Sequence, residues 1–393
     1  MRDASDMPDA RDTSDTRDVP EFSYTSYPRR IVFAAGALGR LGVESERFGW
    51  QRLLLCTTGS QRRAGRVEAV AAALGTRLAA VYDGIHPHVP AAQVEEAMAL
   101  AAERGVDAAL ALGGGSAIGT AKAVAAALSD RAPERPPVAV AAIPTTYAGS
   151  EMTPVYGVTR TDESGTARKV TTTDERIVPR LILYDPLLTL DLPRELTAAT
   201  GVNALAHCLE ALYSLTRNPV SSAAARAGIR AITHALPRCV ADGGDAPARA
   251  EMLEGAYLAG TALAAVSMAL HHGICHVLGG SAGVPHGAAN AIILPHALRF
   301  NARAAAPQLA DAAMAMGLPV SDLPSDAAAE RAVAFADDFI AGLGLPRRLR
   351  DVGVAEGDLP RLAALAFQNR TVHSNPQPIT DVARIETLLR AAW

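Results

Sequence analysis

Half of the chain's ten histidines fall in one short segment, LHHGICHVLGGSAGVPHGAANAIILPH. His272 and His276 are four residues apart, so on a helix they share one face. His286 follows a glycine-rich break and Pro285, and we expect it to fold back toward that face. Neutral imidazoles at this spacing suit zinc or iron, and a charged imidazole can polarise a carbonyl or donate a proton near pH 7. The trio is therefore a candidate catalytic or metal-binding cluster.

A second pair of polar side chains has the same spacing farther upstream. Asn203 and His207 are four residues apart within GVNALAHCLEALY, so they share a face if this segment is helical. We expect this pair and the histidine trio to line one pocket.

A glycine-rich turn stands where the predicted strand VDAALAL gives way to a predicted helix. It consists of Gly113, Gly114, Gly115 and Ser116. Glycines at this point let the backbone approach a pyrophosphate, and the helix N-terminus offers free N–H groups. Ser116 is also a candidate helix cap. The spacing differs from the usual G-x-G-x-x-G, so an ordinary tight turn is an equal alternative on this motif alone.

Hydroxyl side chains follow the next predicted strand, VAVAAIP. They belong to Thr145, Thr146, Ser150 and Thr153. Hydroxyls at the carboxyl end of a parallel strand face the crevice where cofactors bind. A polar loop that bonds to its own backbone is the alternative, but two such loops on adjacent strands favour a cofactor site.

These candidate residues require a two-part architecture to position them. Strands alternate with helices over residues 21–190, which predicts an α/β dinucleotide-binding domain with a parallel, doubly wound sheet. Its first strand is expected within FSYTSYPRRIVFAAG, which has the alternation of an edge strand. Helical spacing dominates residues 191–393 and predicts an all-helical catalytic domain, with a ligand cleft between the halves. Residues 1–20 are rich in Asp, Arg, Ser and Thr and predict a disordered tail.

Composition excludes several partners. The 393-residue chain carries a formal net charge of -4 and has no basic stripe, which argues against nucleic acid. No apolar run reaches the roughly 18 residues of a membrane span, and no polybasic amphipathic helix indicates a membrane surface. The four cysteines form no CxxC pair, so we expect reduced thiols and a cytoplasmic protein.

Taken together and in this order, the motifs resemble those of the iron-containing alcohol dehydrogenase superfamily, and more narrowly its maleylacetate reductase branch. The matching stretches are GGGS with AIGTAKA, PTTYAGSEMT, KVTTTD, YDPLLT, GVNALAHCLEALY, and HHGICHVLGG with PHG and LPH. The resemblance runs from about Phe22 to the Asn375–Pro378 stretch, essentially the whole folded chain.

The resemblance implies the dehydroquinate synthase-like fold, which agrees with the two parts described above, and a homodimer. It places the cofactor pyrophosphate on the turn from Gly113 to Ser116. The nicotinamide and its ribose are implied near Thr145, Thr146, Ser150, Thr153 and Lys169. The implied reaction is NADH- or NADPH-dependent reduction of maleylacetate to 3-oxoadipate, a late step in the degradation of aromatic compounds.

The choice between the two nicotinamide cofactors stays open. An acidic residue after the second strand would bind the ribose 2′-OH and favour NADH. This chain has hydroxyl residues there, in LLLCTTGSQRR, with Arg62 and Arg63 nearby, so NADPH is also expected to be tolerated.

Asn203 is an informative departure from the family pattern. Metal-dependent members use one Asp and three His ligands, and the matching positions here are Asn203, His207, His272 and His286. An amide in place of a carboxylate removes a negative charge and lowers divalent affinity. The same replacement is typical of maleylacetate reductases, so we expect that no tightly bound metal is required. The resemblance assigns His276 and His286 to enolate stabilisation and proton donation, with His207 and His272 as supporting donors.

Three other functions remain open. Maleylacetate reductases often have PHAETH where this chain has PHGAAN, and the glycine is closer to the alcohol dehydrogenase pattern. An alcohol or aldehyde dehydrogenase of the same superfamily is therefore the first alternative. A lyase such as dehydroquinate synthase needs a complete metal site, which Asn203 argues against. A non-catalytic binding protein on an inherited fold is the third, and the clustered histidines make it the weakest.

Overall fold

The protein is seen as a computed structural model that describes residues 21–87, 89–161 and 167–393. The predicted tail over residues 1–20 lies outside the described residues. The strands of the described chain are β1 Arg30–Phe33, β2 Leu53–Cys56, β3 Leu78–Tyr82, β4 Ala108–Gly113, β5 Ala139–Pro144, β6 Val155–Thr161, β7 Ala167–Thr173 and β8 Leu181–Tyr184. Six of them form one sheet in the order β1-β8-β5-β4-β2-β3, and every neighbouring pair is parallel.

Helices cover both faces of this sheet. They are α1 Leu41–Arg47, α2 Gly59–Arg63, α3 Arg66–Leu74, α4 Ala91–Glu103 and α5 Gly115–Arg131. In β2, Leu54 and Cys56 pack in one cluster with α4 and α5, whereas Leu53 and Leu55 pack in another with α1 and α3. All four strand residues are fully buried, as is typical of a parallel strand covered on both sides. The predicted doubly wound sheet is confirmed.

The first strand is shorter than its alternating sequence predicts. Regular pairing begins only at Arg30, and residues 21–29 form no strand. Pro28 has no N–H group to donate to a neighbouring strand, and the chain joins the sheet two residues later. As expected of an edge strand, β1 pairs with β8 alone.

A second, two-stranded sheet departs from the predicted parallel pattern. β6 and β7 form an antiparallel hairpin in continuous register from Val155↔Thr173 to Thr161↔Ala167. The hairpin projects from the sheet so that β6 contacts α5 and β7 contacts a helix of the second half, α9. It thus bridges the two halves beside the candidate cofactor loops.

From Arg194 to the end, a stretch that is described throughout, the chain is helical. The helices are α6 Arg194–Tyr213, α7 Pro219–Ala241, α8 Ala246–Ala264, α9 Leu270–Ala282, α10 His286–Asn301, α11 Ala306–Ala315, α12 Ser325–Gly342, α13 Leu359–Gln368, α14 Arg370–His373 and α15 Val382–Ala391. The predicted all-helical second half is confirmed. Throughout the described ranges, no helix has both the length and the apolarity needed to cross a membrane.

Glycines allow the three longest helices to pack closely. A Cβ atom built at Gly228 of α7 would lie 2.7 Å from Cys208 Sγ of α6. One at Gly255 of α8 would lie 2.8 Å from Ile232 Cγ1 of α7. Real Cβ atoms do not approach other atoms so closely, so larger residues would push these helices apart. The four cysteines are free and buried, as expected of reduced thiols.

A buried arginine connects the two halves. Arg249 of α8 is fully buried. Its guanidinium donates to Tyr147 Oη at 3.1 Å and to Thr197 Oγ1 at 2.8 Å. It also donates to the carbonyls of Gly243 at 3.0 Å and Leu192 at 3.3 Å. Because Tyr147 follows β5 and Leu192 precedes α6, one side chain fixes the sheet's loop to the helical half.

We predict that Arg249→Met lowers the free energy of unfolding by about 2–4 kcal/mol, because it leaves several buried acceptors without a donor. Urea denaturation followed by circular dichroism measures the change. Arg230→Met, at an exposed position of α7, is the matched control and should stay within about 0.5 kcal/mol of the parent. Equal effects of the two substitutions would contradict the proposed link.

Candidate active site

The glycine turn has the shape that a pyrophosphate requires. Gly113 ends β4 with φ +146°, and a Cβ there would lie 3.0 Å from Ala117 Cβ. A Cβ at Gly114 would lie 3.0 Å from Thr146 Cγ2. Helix α5 begins at Gly115, and its N-cap is Gly114, which has no side chain to occupy the first N–H groups. The backbone is thus left open at a helix N-terminus, an arrangement that fits a dinucleotide phosphate.

Ser116 does not cap the helix as expected. It is the second residue of α5, because the N-cap is Gly114, two residues earlier. Its carbonyl accepts a hydrogen bond from Thr120 Oγ1 at 2.9 Å, and its side chain is half-buried beside the turn. Its role toward a cofactor remains a prediction.

The second predicted loop lies directly against the first. β4 and β5 are neighbours in the sheet, with Gly113 opposite Pro144. The backbone N–H of Thr145 donates to the carbonyl of Gly113 at 3.1 Å. Thr145 and Thr153 are buried, and Thr146 and Ser150 are half-buried. The structure therefore places Thr145 and Thr146 beside the glycine turn. Ser150 and Thr153 lie farther along the same loop, where the Thr153 hydroxyl donates to the carbonyl of Ser150 at 3.3 Å, and their role toward a cofactor remains a prediction. Lys169 belongs to β7, but its side chain lies outside the described part.

Four imidazoles form two stacked pairs. The rings of His207 and His272 stack with centroids 4.7 Å apart, and those of His276 and His286 stack at 6.1 Å. His272 lies 6.2 Å from His276 and 6.3 Å from His286. The first pair is buried and the second is exposed, so the cluster leads from solvent inward. The structure thus brings together the four rings that the helical spacing grouped.

The buried pair faces the loop that follows β5. Asn203 Nδ2 donates to the carbonyl of Ala148 at 3.3 Å. A Cβ at Gly149 would lie 3.6 Å from His207 Nδ1. The polar face of α6 therefore meets the loop that also touches the glycine turn, and the imidazoles lie opposite the candidate cofactor site.

A residue that the sequence analysis missed organises this pocket. Glu210 of α6 is fully buried, and its carboxylate accepts the backbone N–H groups of Ala269 at 3.1 Å, His271 at 3.2 Å and His272 at 3.3 Å. It also bonds to His272 Nδ1. The carboxylate thus binds the N-terminus of α9, where negative charge is favoured. Its position three residues after His207, on one helix face, was the available signal.

The bonding of Glu210 determines which nitrogen of His272 faces the pocket. Since Nδ1 bonds to the carboxylate, a neutral His272 carries its proton there and exposes the lone pair of Nε2. That Nε2 atom is buried without a hydrogen-bond partner among the described residues. Burial raises the pKa of Glu210, but His272 and His271 outweigh it and hold that pKa well below its usual range.

The surroundings of His207 and His272 lower the pKa of both rings, which favours their neutral forms. Burial, with His272 and His286 nearby, holds the pKa of His207 well below its usual value. Burial also lowers the pKa of His272, although Glu210 opposes this shift. Either ring donates from both nitrogens only after taking up a proton, and Glu210 stabilises that form of His272.

The family-derived ligand set lacks the carboxylate that metal-dependent members supply. Asn203 Oδ1, His207 Nδ1 and His272 Nε2 are buried and lack hydrogen-bond partners in the described chain, so their lone pairs are available. None of these groups is negatively charged, so the set has a lower divalent affinity than one with an Asp at position 203. Ligand atoms of Glu210, His271 and His272 do lie within 4.8 Å of one another, but hydrogen bonds already engage the carboxylate.

A glycine turn that fits a phosphate, opposite a histidine pocket, is the arrangement expected of a nicotinamide-dependent oxidoreductase. Comparison with known families gives the same class. The model of iron-containing alcohol dehydrogenase matches residues 28–186, and that of the C-terminal part of the Fe-containing alcohol dehydrogenase family matches residues 197–393. The chain belongs to the iron-containing alcohol dehydrogenase family.

Individual relatives agree over nearly the full chain. A maleylacetate reductase from Sphingobium indicum is 38% identical over 371 residues, which cover 94% of this chain and 97% of the relative. The crystal structure of maleylacetate reductase from Rhizobium sp. strain MTP-10005 has a TM-score of 0.83 and 38% identity, covering 95% of this chain and 98% of that one. A 1,3-propanediol oxidoreductase has a TM-score of 0.88 and 31% identity, covering 95% and 100%. The predicted fold is confirmed.

We predict that Glu210→Gln lowers turnover by about 10- to 100-fold, because the amide no longer fixes the proton of His272 on Nδ1. Steady-state kinetics measures the loss, and nitrogen-15 NMR of the histidine rings reports the tautomer. Glu254→Gln, at an exposed position of α8, is the control. An unchanged His272 tautomer in the Glu210→Gln variant would refute this role.

Proposed function

We propose that the protein reduces maleylacetate to 3-oxoadipate with NADH or NADPH. The observation that carries this proposal is the pocket of four imidazoles opposite the cofactor loops, in which an amide, Asn203, stands where metal-dependent members have a carboxylate. The relatives named as maleylacetate reductases, at about 38% identity over almost the whole chain, support it.

The chemistry suits imidazoles with an amide, rather than a carboxylate, at position 203. Bound NAD(P)H supplies a hydride, which adds to the carbon–carbon double bond of maleylacetate at the carbon β to the ketone. The electrons of the double bond move onto the ketone oxygen and form an enolate. Positively charged or N–H-donating imidazoles stabilise that oxygen, and a proton then transfers to the α carbon. The net change consumes one hydride and one proton.

The depth of the two histidine pairs suggests a division of roles. His276 and His286 are exposed at the mouth of the pocket, so they can exchange protons with water and supply the proton. His207 and His272 are buried deeper and are supporting donors to the substrate oxygen. His272 donates from Nε2 only in its protonated form, in which Glu210 accepts from Nδ1–H.

We predict that His276→Ala and His286→Ala each lower kcat by about 10²-fold or more, the usual contribution of a general acid. The decrease in absorbance at 340 nm with maleylacetate as substrate measures it. His234→Ala is the control, because His234 is an exposed residue of α7 that pairs with Glu251 at 2.8 Å. Full activity in both pocket variants would refute the assignment.

We propose that this reaction needs no tightly bound metal. Turnover should survive exhaustive treatment with a chelator, since the family ligand positions carry no negative charge and hydrogen bonds already engage Glu210. A loss of activity that added iron or zinc restores would overturn this proposal.

We predict that Asn203→Asp raises the affinity for divalent zinc, because it restores a negative charge beside His207 and His272. It also removes the donor to the Ala148 carbonyl, so maleylacetate turnover should fall. Calorimetric titration with zinc chloride compares the variant with the parent protein. Unchanged zinc affinity would contradict the charge argument.

An alcohol dehydrogenase is the second candidate, and Gly287 together with the 1,3-propanediol oxidoreductase structure favours it. In the structure, a Cβ at Gly287 would lie 2.5 Å from Ala199 Cβ. The glycine therefore has a packing role, because it lets α10 approach α6. A panel of small alcohols and aldehydes, assayed beside maleylacetate, separates the two functions. Higher kcat/KM on any C–O substrate would favour the dehydrogenase.

The remaining assignments concern cofactor, assembly and compartment. Arg62 forms an ion pair with Asp83, whereas Arg63 is exposed, and we propose that both NADH and NADPH are accepted. We propose a homodimer in the cytoplasm. The edge position of β1, which pairs with β8 alone among the described residues, and the free cysteines support it. Light scattering of the purified protein tests the dimer.

A further inference from the structure

Lys122 has no part in the function proposed above, yet its environment is unusual. The chain has 35 arginines and two lysines, so a lysine at a buried position is not a routine choice of cation. Lys122 lies on α5 and is fully buried. An ammonium is compact and donates in three directions, whereas a guanidinium is a planar fork. A lysine at this position therefore suits hydrogen-bond acceptors that surround the Nζ atom from several directions.

The acceptors all come from one short stretch. Lys122 Nζ donates to the carbonyls of Ser150 and Thr153, each at 2.6 Å, and to that of Val155 at 3.0 Å. Thr153 Oγ1 lies 3.3 Å from it. Residues 150–155 thus wrap around the ammonium, and their conformation depends on it.

The charges around Lys122 show that this arrangement is costly unless its hydrogen bonds are made. Burial lowers the pKa of Lys122 to about 7, with Glu151 opposing and Arg29 adding to the shift. Glu151 is itself buried, and its Oε1 accepts from Tyr184 Oη at 2.9 Å. Arg29 donates to the carbonyl of Met152 at 2.8 Å. Two cations from different segments therefore hold the same stretch.

The location of α5 gives this contact a functional meaning. The helix begins at the glycine turn, and Lys122 comes seven residues after Gly115, or ~10 Å along the axis at 1.5 Å per residue. One rigid helix thus carries the turn for the pyrophosphate and the anchor of the loop with Ser150 and Thr153, which are assigned to the nicotinamide side.

We propose that Lys122 is a positioning residue for the nicotinamide half of the cofactor, because it fixes the backbone of residues 150–155 relative to the glycine turn. This inference rests on the proposed cofactor site. It predicts that loss of the ammonium affects the affinity for ADP and the affinity for the whole dinucleotide differently. Binding of ADP, whose phosphates need the glycine turn, is retained, and binding of the whole dinucleotide is weakened.

Lys122→Met removes the ammonium and keeps most of the side-chain volume. Calorimetry should show ADP binding within about two-fold of the parent and NADH binding at least 10-fold weaker. Fluorescence of bound NADH reports on the nicotinamide environment independently. Arg131→Met, at the exposed far end of the same helix, is the matched control and should leave both affinities unchanged. If the Lys122→Met variant does not fold, Lys122→Gln, which keeps an amide donor, gives the same comparison.

Two results would overturn the inference while leaving the cofactor site intact. One is NADH affinity unchanged in the variant, and the other is an equal loss for ADP and NADH in a protein with parental circular dichroism. Failure of the parent protein to bind either nucleotide would instead overturn the cofactor assignment, and this inference with it.

Discussion

The interaction between Glu210 and the N-terminus of α9 is the constraint on which the pocket depends. A carboxylate taken out of water is stable only where donors surround it, and here three backbone N–H groups and an imidazole do so. The same contact fixes where α9 begins and how His272 is oriented. Because His276 lies one helical turn after His272 on α9, the same contact also fixes the position of His276. The buried charge of Glu210 therefore both fixes the start of α9 and orients the imidazole of His272.

The loop between β5 and β6 is the second element that joins both halves. Its Tyr147 bonds to Arg249 of α8, its Ala148 to Asn203 of α6, and its distal part to Lys122 of α5. These contacts come from three helices that are far apart in sequence. These contacts make the loop as rigid as the helices that hold it. A rigid loop keeps the candidate cofactor site at a fixed position relative to the histidine pocket.

Periodicity and turn chemistry predicted the sheet, the helical half and the grouping of the histidines, because each is encoded within a few neighbouring residues. The β6–β7 hairpin was not predicted, since its two strands form an antiparallel pair outside the main sheet and contact α5 and α9, which are distant in sequence. Glu210 was missed because its partners lie about 60 residues later and are mostly backbone groups. Ser116 was assigned as a cap two residues too late, an error within the range in which helix ends are hard to place from sequence.

The close packing at Gly228 and Gly255 bears on how this protein can diversify. α6 carries Asn203, His207 and Glu210, and its far side is pressed against α7 with no spare volume. Substitutions there have nowhere to expand, so natural variation in substrate preference must come from the exposed rim around His276 and His286. The closely packed helices α6, α7 and α8 form a rigid support. Substitutions are better tolerated at the exposed rim around His276 and His286.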